Sequence, residues 1–151
     1  MEKDQLLYKL EHTWDSFLKS FDGLTDEQMV QPGVTSDWTV KDILAHVSWW
    51  EEEALKHLPH ILEGQRPPRY SVVYGGIDVF NAMMREQKRG LSLFAVRQQM
   101  TATHSRLVEY VQSIPEEQFT TETRFRRRLR LDTYSHYPIH TRMIHEWREQ
   151  L

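Results

Sequence analysis

Two stretches of the chain set histidine among large apolar residues: "DILAHVSWW", which carries His46, and "YSHYPIHTRMIHEW", which carries His136, His140 and His145. A neutral imidazole buried without a partner loses its hydrogen bonds to water, and several imidazoles around one metal ion would compensate that loss. His136 and His140 are four apart, which on a helix is about 40° and one face. Met143, Ile144 and Trp147 continue that face, so it is the inward one. The spacing alone is ambiguous, because a chain with eight histidines produces such pairs readily by chance. His46 adds to it from the flank of a stripe set by Ile43, Val47 and Trp50. Three neutral imidazoles suit Zn, Ni or Fe(II), and an open position for water or substrate would make the site catalytic in type. The alternative is three core histidines satisfied by ordinary hydrogen bonds.

The elements that must position these residues are helical, since helical periodicity dominates and no alternating strand stands out. The first helix is expected from about Lys3 to Phe21, burying Leu6, Leu7, Leu10, Trp14, Phe17, Leu18 and Phe21. Thr25 with Gln28, and Thr39 with Asp42, have capping-box spacing, for a short turn and for the start of the second helix. The second helix runs to Glu63 and stops at Gly64, with Pro59 able to kink it. "GQRPPRYSVVYGG" reads as a long crossover loop, and "IDVFNAMMREQKRG" as a short helix. Ser92 caps the third long helix, from Leu93 to Ser113, and the last helix holds "YSHYPIHTRMIHEWREQ". Pro138 either bends that helix or delays its start. Four long helices with one long crossover between the second and third predict an all-α four-helix bundle, filling residues 1–151 as a single domain.

An internal repeat links the plan to the histidines. "FDGLTDEQM" and "VQSIPEEQF" lie ninety residues apart, pairing Phe17 with Leu107, Leu18 with Val108, Phe21 with Val111 and Leu24 with Ile114. The same offset sets His46 on His136, each eighteen residues after its glutamine, Gln28 or Gln118. Two helical hairpins related by a pseudo-twofold would bring these imidazoles face to face.

Composition narrows the function classes. A hydrophobic fraction of 39% with 27% charged residues is that of a globular domain with a real core. A net charge of −3 argues against a nucleic-acid partner. No apolar run approaches the roughly 20 residues of a membrane span, and "MEKDQLLYKLEH" lacks the apolar core of a signal peptide, so a cytoplasmic protein is expected. Cysteine is absent, which excludes disulfides, thiolate ligands and cysteine nucleophiles.

"WTVKDILAHVSWWEE" together with "HYPIHTRMIHEW" resembles the DinB-like superfamily, the damage-inducible and DfsB-type four-helix proteins, over nearly the whole chain. The resemblance implies a divalent metal held by one histidine of the second helix and two of the fourth. Matched to this chain those are His46, His136 and His140, and Asn81 in "DVFNAMMREQ" falls on a recurrent asparagine. Pro138, between the two terminal histidines, departs from the pattern. The implied activity is metal-dependent chemistry on a small molecule, by a hydrolase or a thiol-dependent transferase, with any thiol supplied by a cosubstrate. The alternative is a non-catalytic small-molecule-binding or stress-resistance protein. A homodimer through helix faces is also expected.

The remaining candidates read mainly as structure. His57, eleven residues after His46, is either a hydrogen-bond partner to the site or a surface residue; His60 faces helix-end carbonyls; His145 is solvated; His12 and His104 are surface or satisfied core residues. Glu53 either hydrogen-bonds a ligand near His46 or is a solvated carboxylate. The run Arg124, Arg126, Arg127, Arg128 and Arg130 is either an anion-binding patch or, the favoured reading, a solvated connection paired with Glu116, Glu117 and Glu122. No general base stands out.

Overall fold

Capping fixes where the helices begin. In the computed structural model, which describes residues 2–151, α1 (Glu2–Ser20) leads into a single turn, α2 (Asp26–Met29). Thr25 accepts from the Gln28 amide while Gln28 accepts from the Thr25 amide, so both ends of the predicted box close. Thr39 and Asp42 do the same for α3 (Val40–Leu62). Gly64, at φ +89°, takes the left-handed conformation that ends α3 and that glycine adopts without strain. The crossover holds one turn, α4 (Tyr70–Val73), then α5 (Ile77–Lys88). Ser92 caps α6 (Leu93–Gln112) through the Ala95 amide, as its position predicts.

The last helix starts late, one of the two outcomes Pro138 allows, and an unexpected helix precedes it in the arginine run. The stretch is two helices in series, α7 (Arg124–Asp132) and α8 (Tyr137–Arg148). Pro138 has no amide hydrogen, and in a continuous helix its ring would strike the carbonyl four residues back. The chain therefore turns over 133–136 and restarts with Pro138 in the first turn of α8, where a missing donor costs nothing. The arginine run is likewise not a solvated connection. It is α7 itself, capped by Thr123 and anchored by buried Phe125 and Leu129, which are four apart on one face.

The four-helix bundle with its long crossover thus has α7 and α8 sharing the fourth position. α3 packs on α6 and α7, while α1 packs on α8. Two apolar clusters follow this division. One gathers Leu10, Trp14, Phe17, Ile43, Val47, Ile144 and Trp147; the other gathers Leu6, Leu58, Leu107, Phe119, Phe125 and Leu129. Most residues paired by the ninety-residue repeat share burial: Phe17 and Leu107 are both fully buried, and Phe21 and Val111 are both buried, whereas Leu24 is only partly buried and Ile114 is buried. Trp49 and Trp50 donate to the same oxygen of Asn81, at 3.2 and 2.9 Å, which holds α5 of the crossover against α3. Among the described residues no helix is long and apolar enough to cross a membrane.

Candidate metal centre

His46 sits in the second turn of α3, on a helix aligned by its capping box. Asp42, the acidic half of that box, also accepts from Arg85 of α5 at 3.2 Å. Arg85 reaches on to Asp37 and lies over the Trp38 ring at 4.9 Å. Trp38 and Trp49 then meet His46 edge-on, with centroids 5.4 and 5.0 Å from the imidazole. The ring is thus held between aromatic walls.

His136 and His140 arrive from the break before α8. His136 is the residue preceding the helix, in a helical conformation at φ −90° and ψ −46°, so the four-residue spacing still aims both rings to one point. The Nε2 of His136 lies 3.0 Å from that of His46 and 2.9 Å from that of His140. The structure therefore brings together all three residues singled out in the sequence, and the offset that pairs His46 with His136 places them in contact.

The electrostatics favour neutral rings. Burial, reinforced by the neighbouring imidazoles, lowers His46 to about 2 and His136 to about 3, and burial alone lowers His140 to about 4. Each Nδ1 is buried with no hydrogen-bond partner among the described residues. Three Nε2 atoms thus converge with no carboxylate on the rings. Two nitrogens bound at about 2.1 Å to one ion at a right angle stand about 3 Å apart, which the 2.9 and 3.0 Å spacings match. The three residues fit a divalent ion: His46, His136 and His140 could hold one.

Other polar residues were assigned less well by the sequence. Glu51, fully buried, accepts from the Tyr137 hydroxyl at 2.5 Å and faces His104 Nδ1 at 2.7 Å on the same oxygen. His104 stacks on Trp14 with centroids 3.7 Å apart and planes 5° from parallel. Tyr137 follows His136, so this cluster fixes the segment that presents the second imidazole. Two signals were available for it. Glu51 interrupts the stripe Leu44, Val47, Ala54, Leu58, and Trp14 and His104 are related by the same ninety-residue offset.

Glu53 is neither solvated nor bonded to an imidazole of the cluster. It is buried, accepts from the Tyr70 hydroxyl at 2.8 Å, and has His57 at 3.5 Å. Arg128 of α7 donates to Tyr70 and to buried Asp132, which lies 2.6 Å from it. Burial, opposed by Arg128, pushes the Asp132 carboxyl up to about 6. His60 pairs with the Gln65 side chain at 3.0 Å, and His12 and His145 are exposed.

The family model of the DinB superfamily matches residues 9–143. No curated protein sequence matches the chain. Among solved structures, the Sibling Lethal Factor precursor DfsB is 16% identical, with a TM-score of 0.82 over 99% of this chain and 96% of that one. The colibactin self-resistance protein ClbS, crystallised in complex with a dsDNA, is 13% identical with a TM-score of 0.82 over 99% and 96% of the two chains. A protein from Streptococcus pneumoniae is 16% identical with a TM-score of 0.81 over 99% and 91%. These likenesses establish the shared fold.

The ClbS complex overturns one expectation. The net charge of −3 does not exclude a nucleic-acid partner, since a protein of this fold is crystallised with DNA. Net charge is a sum over the whole chain, whereas an electrostatic footprint depends on where the charges lie, and α7 alone carries five arginines.

Proposed function

The chain belongs to the DinB superfamily, and from that premise we propose that it is a divalent-metal-dependent enzyme acting on a small molecule, with His46, His136 and His140 as ligands. The observation that carries this reading is the convergence of three Nε2 atoms, 2.9 and 3.0 Å apart, with no protein hydrogen bond to any Nδ1. The ion is Zn, Ni or Fe(II), and when bound it supplies Lewis-acid activation of a water or thiol. The reaction class is hydrolysis or thiol-dependent transfer. The chain's own residues hold and enclose that centre: Trp38 and Trp49 wall off His46, while Glu51 and Tyr137 hold the turn that presents His136. With no carboxylate on the imidazoles, the positive charge is balanced by an anion from outside the chain. A thiolate fits, and with no cysteine in the sequence it belongs to a cosubstrate. Assembly as a homodimer is part of this proposal and is read by light scattering.

Metal analysis of protein purified without an affinity tag tests the reading. About one ion per chain is expected, with occupancy lost in His46→Ala, His136→Ala and His140→Ala. Full occupancy in the three variants would reject it.

A second reading is favoured by the likeness to ClbS, a self-resistance protein. Here the chain binds and sequesters a reactive small molecule without turnover. Turnover of candidate thiol-transfer or hydrolysis substrates that disappears on chelation separates the first reading from the second.

A further inference from the structure

A groove of about 410 Å³ runs between the crossover loop and α7, lined by Arg66, Arg69, Arg124, Arg127 and Arg128 around Tyr70. No carboxylate lines it. Arg66, Arg69 and Arg127 make no side-chain hydrogen bond or ion pair among the described residues, and all three are exposed. Arg124 donates only to neutral carbonyls, those of Gly64 and Gln65 at 3.2 and 3.4 Å. Among the described residues Arg128 alone of the five forms an ion pair, with Asp132, while Arg127 feels Glu122 only at longer range. Guanidinium groups lining one concavity repel one another, and a multiply charged anion converts that repulsion into attraction.

The groove is also held in shape. Arg124 ties the loop to α7, Pro67 and Pro68 restrict the backbone between Arg66 and Arg69, and Tyr70 is fixed by Glu53 and Arg128. The backbone of both walls is therefore held in place, while the exposed Arg66, Arg69 and Arg127 side chains stay free to turn onto a ligand. The planar, multi-donor guanidinium matches phosphate oxygens in pairs. A concave site a few hundred Å³ in volume suits a compact group, whereas a duplex backbone needs an extended ridge or stripe. We infer that this groove binds a small ligand carrying two or more linked phosphate groups. The inference is independent of the histidine centre and stands or falls without it.

Calorimetric titration of the full chain with inorganic pyrophosphate tests it, in metal-free buffer and with His136→Ala alongside, because pyrophosphate also binds metals. One site is expected in both proteins, at least tenfold weaker for orthophosphate. The double variant Arg66→Ser, Arg127→Ser should weaken pyrophosphate binding at least tenfold at an unchanged melting temperature, since both side chains are exposed and unpaired. Arg130→Ser, which removes a partner of Glu122 outside the groove, should bind as the parent does. Absence of pyrophosphate binding, or binding indifferent to the double variant, overturns the inference. So does a 20-base-pair DNA duplex that binds through these arginines while pyrophosphate does not, an outcome that would give the surface to a nucleic-acid backbone instead.

Discussion

Two buried polar clusters lie side by side, and they are built on opposite principles. In one, Glu51 takes the Tyr137 hydroxyl and faces His104, which stacks on Trp14, so most polar atoms find a partner within the chain; Glu51 Oε1 is the exception. In the other, His46, His136 and His140 turn their Nε2 atoms toward each other and leave every Nδ1 without a partner. Consecutive residues, His136 and Tyr137, belong to different clusters. A buried group that the chain satisfies belongs to the architecture, whereas a convergent set that it leaves unsatisfied is shaped for something from outside.

The largest effect should come from supplying that outside partner. A bound ion stabilises only the folded state, by about 2.7 kcal/mol at a free concentration one hundred times its dissociation constant. A chelator should therefore lower the melting temperature of the wild type by several degrees and leave His136→Ala unmoved. If metal-free and metal-loaded wild type melt alike, the contrast between the clusters is wrong.

Next in size is the loss of the internally partnered cluster. Glu51→Ala strands the Tyr137 hydroxyl and His104 in the core and should cost about 2–4 kcal/mol in urea denaturation. Glu51→Gln keeps an acceptor and should cost less. In metal-free protein His136→Ala should cost less, about 1–2 kcal/mol, because the ring it removes bonds only to two other imidazoles and strands no carboxylate. The reverse ranking would mean that the histidines are themselves part of the structural core.

Arg128 and Asp132 extend the partnered class. Arg128→Ser leaves a buried carboxylate without its guanidinium and should destabilise by about 2–4 kcal/mol. Arg130→Ser, which removes a pair with the exposed Glu122 side chain, should stay within about 0.5 kcal/mol. Equal effects from the two would show that burial does not separate them.

What the sequence reveals follows the same division. Capping boxes at Thr25 and Thr39 are legible because they are local, and His46 with His136 because the repeat turns a long-range contact into an offset. α7 is hidden because its apolar stripe is only Phe125 and Leu129 within a run of arginines. Pro138 signals either a bend or a restart, since its local effect on the backbone is compatible with both, and the structure takes the restart. Glu53 illustrates the limit on side chains. Its partner Tyr70 comes from the crossover, seventeen residues on, with no periodicity to announce it.

Acid should expose the contrast more gently. An unfolded histidine gains its proton as pH falls through about 6.5, whereas in the fold His140 waits until about 4, His136 until about 3 and His46 until about 2. Unfolding then takes up protons, so metal-free protein loses stability as pH drops below about 6.5. Asp132 works the other way. Its folded carboxyl holds a proton up to about 6 that the unfolded chain has already released, which favours the fold toward acid. Burial raises the Glu51 carboxyl as well, with the same sign. The three cluster imidazoles, joined by His57, which burial also lowers, outweigh the two carboxyls, and the urea midpoint should be lower at pH 5 than at pH 7. A higher midpoint at pH 5 would mean that the rings are solvated rather than enclosed.

The smallest effect belongs to histidines outside both clusters. His12 is exposed and stacks on Tyr8 at 5.6 Å, and His145, five residues after His140, turns to solvent beyond the inward face of Ile144 and Trp147. Both rings stay exposed in the fold, so neither needs a compensating partner. His12→Ala and His145→Ala should each stay within about 0.5 kcal/mol of wild type and retain full metal content. The pair discriminates because both rings line one surface groove between α1 and α8 and could recruit an ion there once the protein is saturated with metal. A second equivalent that appears at high metal and disappears with either variant would be such adventitious binding. Loss of the first equivalent would instead mean that enclosure and convergence do not decide which histidines hold the ion.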